Sequence, residues 1–231
     1  MFAIPNGPAV ALEADPRLAS WDAAGHPDQL RLTAFLRTTA RQIRPQLDEA
    51  PGPLALRLDV GLKPQAHLLL HHDLDNYLLP LVSHLRKETD QEFVSVWATK
   101  NSSGTSYLRV APARPIRGTS PLHVARTTAA GDSTTYKEQV RDSLGVAPAE
   151  LPTGPVELEL GFTVGPSRNW INLWKPTIDA LGPLLGAPEG SKPWHPHDGR
   201  IVRLGLHCEV DAALGNDVVI TIAAQGLTVR E

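Results

Sequence analysis

The sequence predicts an α/β chain of the mixed, α+β kind, in which two small mixed-sheet units repeat one layout and pair as an intrachain pseudo-dimer. Three observations carry this expectation. The strings GPLALRLDV (52–60) and GPVELELGF (154–162) recur at an offset of 102 residues, each alternating apolar and polar positions. DLDNYLLPLVSHL (73–85) aligns with NWINLWKPTIDAL (169–181), sharing Asn76/Asn172, Pro80/Pro176 and Leu85/Leu181. Each half then closes on two strand-like strings divided by turn formers. Alternation with period 2 marks a strand with one buried face. A repeated order of elements is what a duplicated and fused homodimer leaves behind. The two units are predicted as 1–111 and 112–231.

Taken in order, each unit enters through a helical pattern: LTAFLRTTARQIRPQL in the first, STTYKEQVRDSL in the second, the latter opened by Ser133 or Thr134 as an N-cap. The Gly-Pro strand follows. Proline is tolerated in the first turn of a helix and poorly beyond it, so the shared proline sets a second helix start within a few residues of the shared asparagine. Leu78, Leu81, Val82 and Leu85 then form one apolar face. EFVSVWATK and SYLRVAPA, split by NSSG, end the first unit; RIVRLGLHCEV and DVVITIAAQ, split by ALGND, end the second.

Composition narrows the partners. With 231 residues and 42% hydrophobic content the chain can bury a core. Its apolar runs are far shorter than the ~20 residues that span a bilayer, and its start has no basic segment leading into an apolar one. No membrane partner is expected. The single cysteine, Cys208, excludes an intrachain disulfide and fits a reducing, cytoplasmic setting. Net charge is −3, without a Lys/Arg block, which argues against tight non-specific duplex binding.

The chemistry gathers at HHDLDN. Asp73 and Asp75 sit two apart at a helix start, where an extended backbone would aim both carboxylates the same way. Asp90 follows fifteen residues after Asp75. Three converging carboxylates make a hard-oxygen site for Mg²⁺, or Mn²⁺, which can activate water and neutralise a phosphoryl oxygen. The alternative reading is plain helix capping by aspartate. His71 and His72, with His195 in WHPHD, raise a zinc option, although no HxxxH or HExxH spacing occurs.

This order of a Gly-Pro strand, DLDN at a helix start, an acid after that helix and a strand closing on lysine resembles the RusA family of Mg²⁺-dependent Holliday-junction-resolving endonucleases. The resemblance implies homodimer-like α/β units, branched DNA as partner and three metal-binding aspartates per active site. It carries onto Asp73, Asp75 and Asp90, with Thr89 in place of the first member of the family's acidic pair, and onto Lys100 at the strand end. The family's helix lysine falls on Leu79 in the first unit and on Lys175 in the second. There Asn172, Asp179, Ala180, Leu181 and Asp198 also fit, while Asn169 and Ile171 replace the paired aspartates, and His197 the first acid of the later pair. The resemblance therefore implies one catalytic set, Asp73, Asp75, Asp90 and Lys175, in a chain that nicks a single strand. The alternative is a catalytically inactive RusA-like pseudo-dimer that binds DNA or a protein partner.

Overall fold

The computed structural model describes residues 1–20, 22–23, 25–116, 123–145 and 150–227. It is mixed α+β, and the chain divides into two compact units, Phe2–Ile116 and Arg117–Glu231, the latter joined by Met1. The break falls later than the expected 111/112. Residues 113–116 still pair within the first unit: Ala3 N–H donates to the Arg114 carbonyl at 2.9 Å, and Phe2 bridges Pro115.

The first unit runs β1 (Val10–Ala11), α1 (Pro27–Glu49), β2 (Leu54–Gly61), α2 (Leu74–Thr89), β3 (Phe93–Asn101) and β4 (Tyr107–Pro112). Its strand order is β1-β4-β2-β3, with β2 and β3 parallel and the other pairs antiparallel. A parallel neighbour needs a crossover, and α2 supplies it. Leu54, Leu56, Leu58 and Val60 turn one face of β2 inward, each at most 2% exposed. The helices cover the sheet with Leu78, Leu81, Val82 and Leu85 of α2, which packs on β3 and α1, and with the stripe Leu32, Phe35, Ile43 and Leu47 of α1, which packs on α2 and β4. Truncating any of these leucines to alanine costs about 2–5 kcal/mol.

The second unit runs β5 (His123–Thr127), α3 (Thr134–Asp142), β6 (Val156–Val164), a 3₁₀ turn (Trp170–Leu173), α4 (Trp174–Asp179), α5 (Gly182–Leu185), β7 (Ile201–Val210) and β8 (Val218–Gly226). Its strand order, β7-β6-β8-β5, is that of the first unit, again with one parallel pair, β6/β7. Ser133 caps α3 by accepting from Tyr136 N–H at 3.1 Å, as its position before the helix predicts. The core is more aromatic here: Trp170 and Trp174 meet edge to face at 4.9 Å beside Phe162. Buried Arg200 ties the loop carbonyls of Leu151, Pro152 and Gly154 to that of Leu185 at the end of α5, a role its sequence position does not announce.

The units part company around the second helix. In the first it is one continuous element of 16 residues. In the second it is broken into short pieces: α4 ends at Asp179 and α5 restarts at Gly182, with Pro183, which cannot donate an N–H back to the Asp179 carbonyl, in the first turn of the new helix.

Candidate functional site

In the first unit α2 begins at Leu74, with Asp73 in the N-cap position. Pro80 therefore lies in the second turn rather than the first, and it cannot supply the N–H that Asn76 would normally receive. That carbonyl is used instead by Ala19, whose N–H donates to it at 2.7 Å. The proline thus creates an anchor for the strap Pro16–Ser20, which is laid beside the helix start. Between strap and helix opens a cavity of about 570 Å³ lined by Arg17, Asp22, Asp28, His72 and Tyr77 among others.

Its polar groups are tightly arranged. His72 Nδ1 lies 2.8 Å from Tyr77 Oη, and the rings are nearly parallel. Burial, with Asp73 adding to it, pushes the Tyr77 hydroxyl up to about 12, so it stays protonated and can donate to Nδ1. Burial and then Lys100 hold His72 below its ordinary value, so it stays neutral. Lys100, only 4% exposed, donates from Nζ to the His72 carbonyl at 2.7 Å. Asp73 Oδ2 accepts from Asn76 Nδ2 at 3.1 Å.

The three aspartates predicted to share a metal do not converge. Asp75 is 3% exposed in the first turn of α2, and Asp90 is the C-cap of the same helix. Fifteen residues at 1.5 Å each put them about 22 Å apart. Asp90 has left-handed backbone, φ 53°, its N–H donates to the Arg86 carbonyl at 3.1 Å, and it is exposed. An αL residue after a helix is a stop signal, which is the bland reading of an aspartate there. The chain does not return to the helix start because α2 runs on to Thr89, and β3 begins only three residues after Asp90.

The buried position of Asp75 explains more. Its aligned residue, Ile171, is likewise buried at 2%. Lys100 pairs with Val60 in the ladder as Cys208 pairs with Phe162, so Cys208 is its counterpart, at 6% exposed. Two buried residues of opposite charge in one unit thus stand where the other has two apolar ones. The position is buried in both units.

In the second unit the charged residues do gather, in a chain of ion pairs. Lys175 Nζ lies 2.8 Å from Asp198 Oδ2 and 3.2 Å from Asp179 Oδ1, while Lys137 Nζ reaches Asp179 Oδ2 at 2.7 Å. Here the long loop between α5 and β7 does bring its acid back to the helix start, the return that the first unit lacks. Asn169 caps the 3₁₀ turn, accepting from Ile171 N–H at 3.3 Å.

Among the described residues, one set of three ligand-type side chains comes within metal-holding distance: Asp22, His26 and Asp28, all exposed. His26 Nδ1 lies 3.3 Å from Asp22 Oδ2 and also accepts from Asp28 N–H at the start of α1. Neither His71 nor His195 joins such a set, so the zinc option finds no ligand group there. The residues do not fit the three-carboxylate Mg²⁺ site that the family resemblance implies. The cavity residues were legible only in part: Tyr77 follows DLDN directly, but nothing in Pro16–Ser20 announces that it folds against them. In comparison with known proteins, no family model matches the sequence, and no curated protein or solved structure matches the chain.

Proposed function

We propose that the chain is a non-cleaving, RusA-like pseudo-dimer that binds nucleic acid through its phosphate backbone. The observation that carries this is the separation of Asp75 and Asp90 by the whole length of α2. Mg²⁺ catalysis needs carboxylates that meet at one ion and leave room for substrate oxygens. In the first unit the acids are buried or dispersed; in the second the one aligned acid, Asp198, is neutralised by Lys175. The recurrence of one strand order supports descent from a fused pair of identical units, and the family resemblance supports nucleic acid as partner.

A manganese titration of wild type and Asp75→Asn tests the silent site. The two curves should coincide, because Asp75 holds no ion. A tight site present in wild type and absent from the variant would contradict the reading. In the same buffer a labelled four-way junction should be retained by the protein and recovered uncut.

A further inference from the structure

The reading above leaves open where phosphates would sit, and the first unit offers one groove suited to them. It runs between α1 and the last turns of α2, with a volume of about 690 Å³. From α1 come Arg37, Arg41 and Arg44, spaced i, i+4, i+7 and therefore on one face. From α2 comes His84, and the groove's acids are Asp48 and Glu88. All three arginines are exposed.

The arginines are available. Arg37 forms no ion pair among the described residues. Arg41 meets Glu13 only at 3.4 Å, with both side chains largely exposed, a pairing worth little in water. Arg44 is held by Asp48 through Nε alone, at 2.8 and 3.1 Å to the two carboxylate oxygens. That bond orients the guanidinium and leaves its terminal nitrogens for another acceptor. Arginine presents its donors in a fixed fork that suits phosphate. From Arg37 to Arg44 the helix rises about 10 Å, whereas one nucleic-acid strand places a phosphate every ~3.4 Å along its axis. The ladder therefore spans a run of about three phosphates.

We infer that this groove, with Arg37, Arg41 and Arg44 as its donors, is the phosphate-backbone site of the first unit. The inference rests on the nucleic-acid reading but not on the silence of the acidic site. It also reconciles binding with a net charge of −3, because three arginines share one helix face against two groove acids, Asp48 and Glu88.

The test is anisotropy titration of a fluorescent four-way junction at several salt concentrations. It compares wild type, Arg37→Gln/Arg41→Gln/Arg44→Gln, and Arg31→Gln, which alters an α1 arginine outside the groove. Each phosphate contact contributes about 0.9 to the slope of log affinity against log salt, so the triple variant should flatten it by about 2.7. Arg31→Gln should match wild type. Glu88→Gln removes a groove acid without touching the core and should tighten binding. Equal slopes for wild type and the triple variant, or no tightening by Glu88→Gln, would overturn the groove while leaving nucleic-acid binding intact. Failure of wild type itself to bind the junction at low salt would overturn both.

Discussion

At Asp75 and Lys100 the first unit buries a carboxylate and an ammonium at positions that its sister unit fills with Ile171 and Cys208. Buried charge is tolerated only when compensated, and removing one member of a compensated set costs about 3–5 kcal/mol, whereas apolar replacement of both is often neutral. Asp75→Ile and Lys100→Cys should therefore each lower the urea midpoint strongly, and the double variant should recover most of the loss. Additive losses would show that the two charges are independent. His207 sets a second residue-scale expectation. Burial holds this side chain, 1% exposed, below its ordinary 6.5, against the opposing pull of Glu159. The unfolded chain then binds the proton more readily, so stability is whole above pH ~6.5 and falls as the pH drops below it. His207→Gln should flatten that slope between pH 7 and 5. An unchanged slope would assign it to other groups.

The elements show what the sequence does and does not disclose. Period-2 strands and the shared Asn, Pro and Leu positions are local signals, and the repeated strand order follows from them. Loop lengths redirect the acids, and their effect depends on where a helix stops. From Leu85 to β3 is 8 positions, whereas from Leu181 to β7 is 20. The short connection leaves Asp90 as a helix terminator; the long one carries Asp198 back to Lys175. An alignment of DLDN with NWIN preserves register through the leucine and cannot see this difference beyond it. As a left-handed C-cap, Asp90 should be replaceable by glycine with a gain of up to about 1 kcal/mol in stability. A loss of stability in Asp90→Gly would point to a role for the carboxylate. Pro80 was legible as a helix marker, but its consequence, the freed Asn76 carbonyl that takes the Ala19 N–H, depends on a contact 57 residues away in sequence. Pro80→Ala restores a competing N–H, and amide exchange at Ala19 should accelerate; unchanged protection would mean that the strap is held elsewhere.

For the molecule as a whole, the two units share one strand order but differ in which charged residues they carry at aligned positions. The first has Asp73 and Asp75 where the second has Asn169 and Ile171, and the second has Lys175 where the first has Leu79. Asp75 is buried in the first unit and Lys175 is ion-paired with Asp198 in the second, and no described helix is long and apolar enough to cross a membrane. The most direct test incubates excess protein with an end-labelled four-way junction in Mg²⁺ or Mn²⁺ and resolves the strands on a denaturing gel. The account predicts intact strands for wild type and for Asp75→Asn alike. Metal-dependent nicking by wild type that disappears in Asp75→Asn would contradict it.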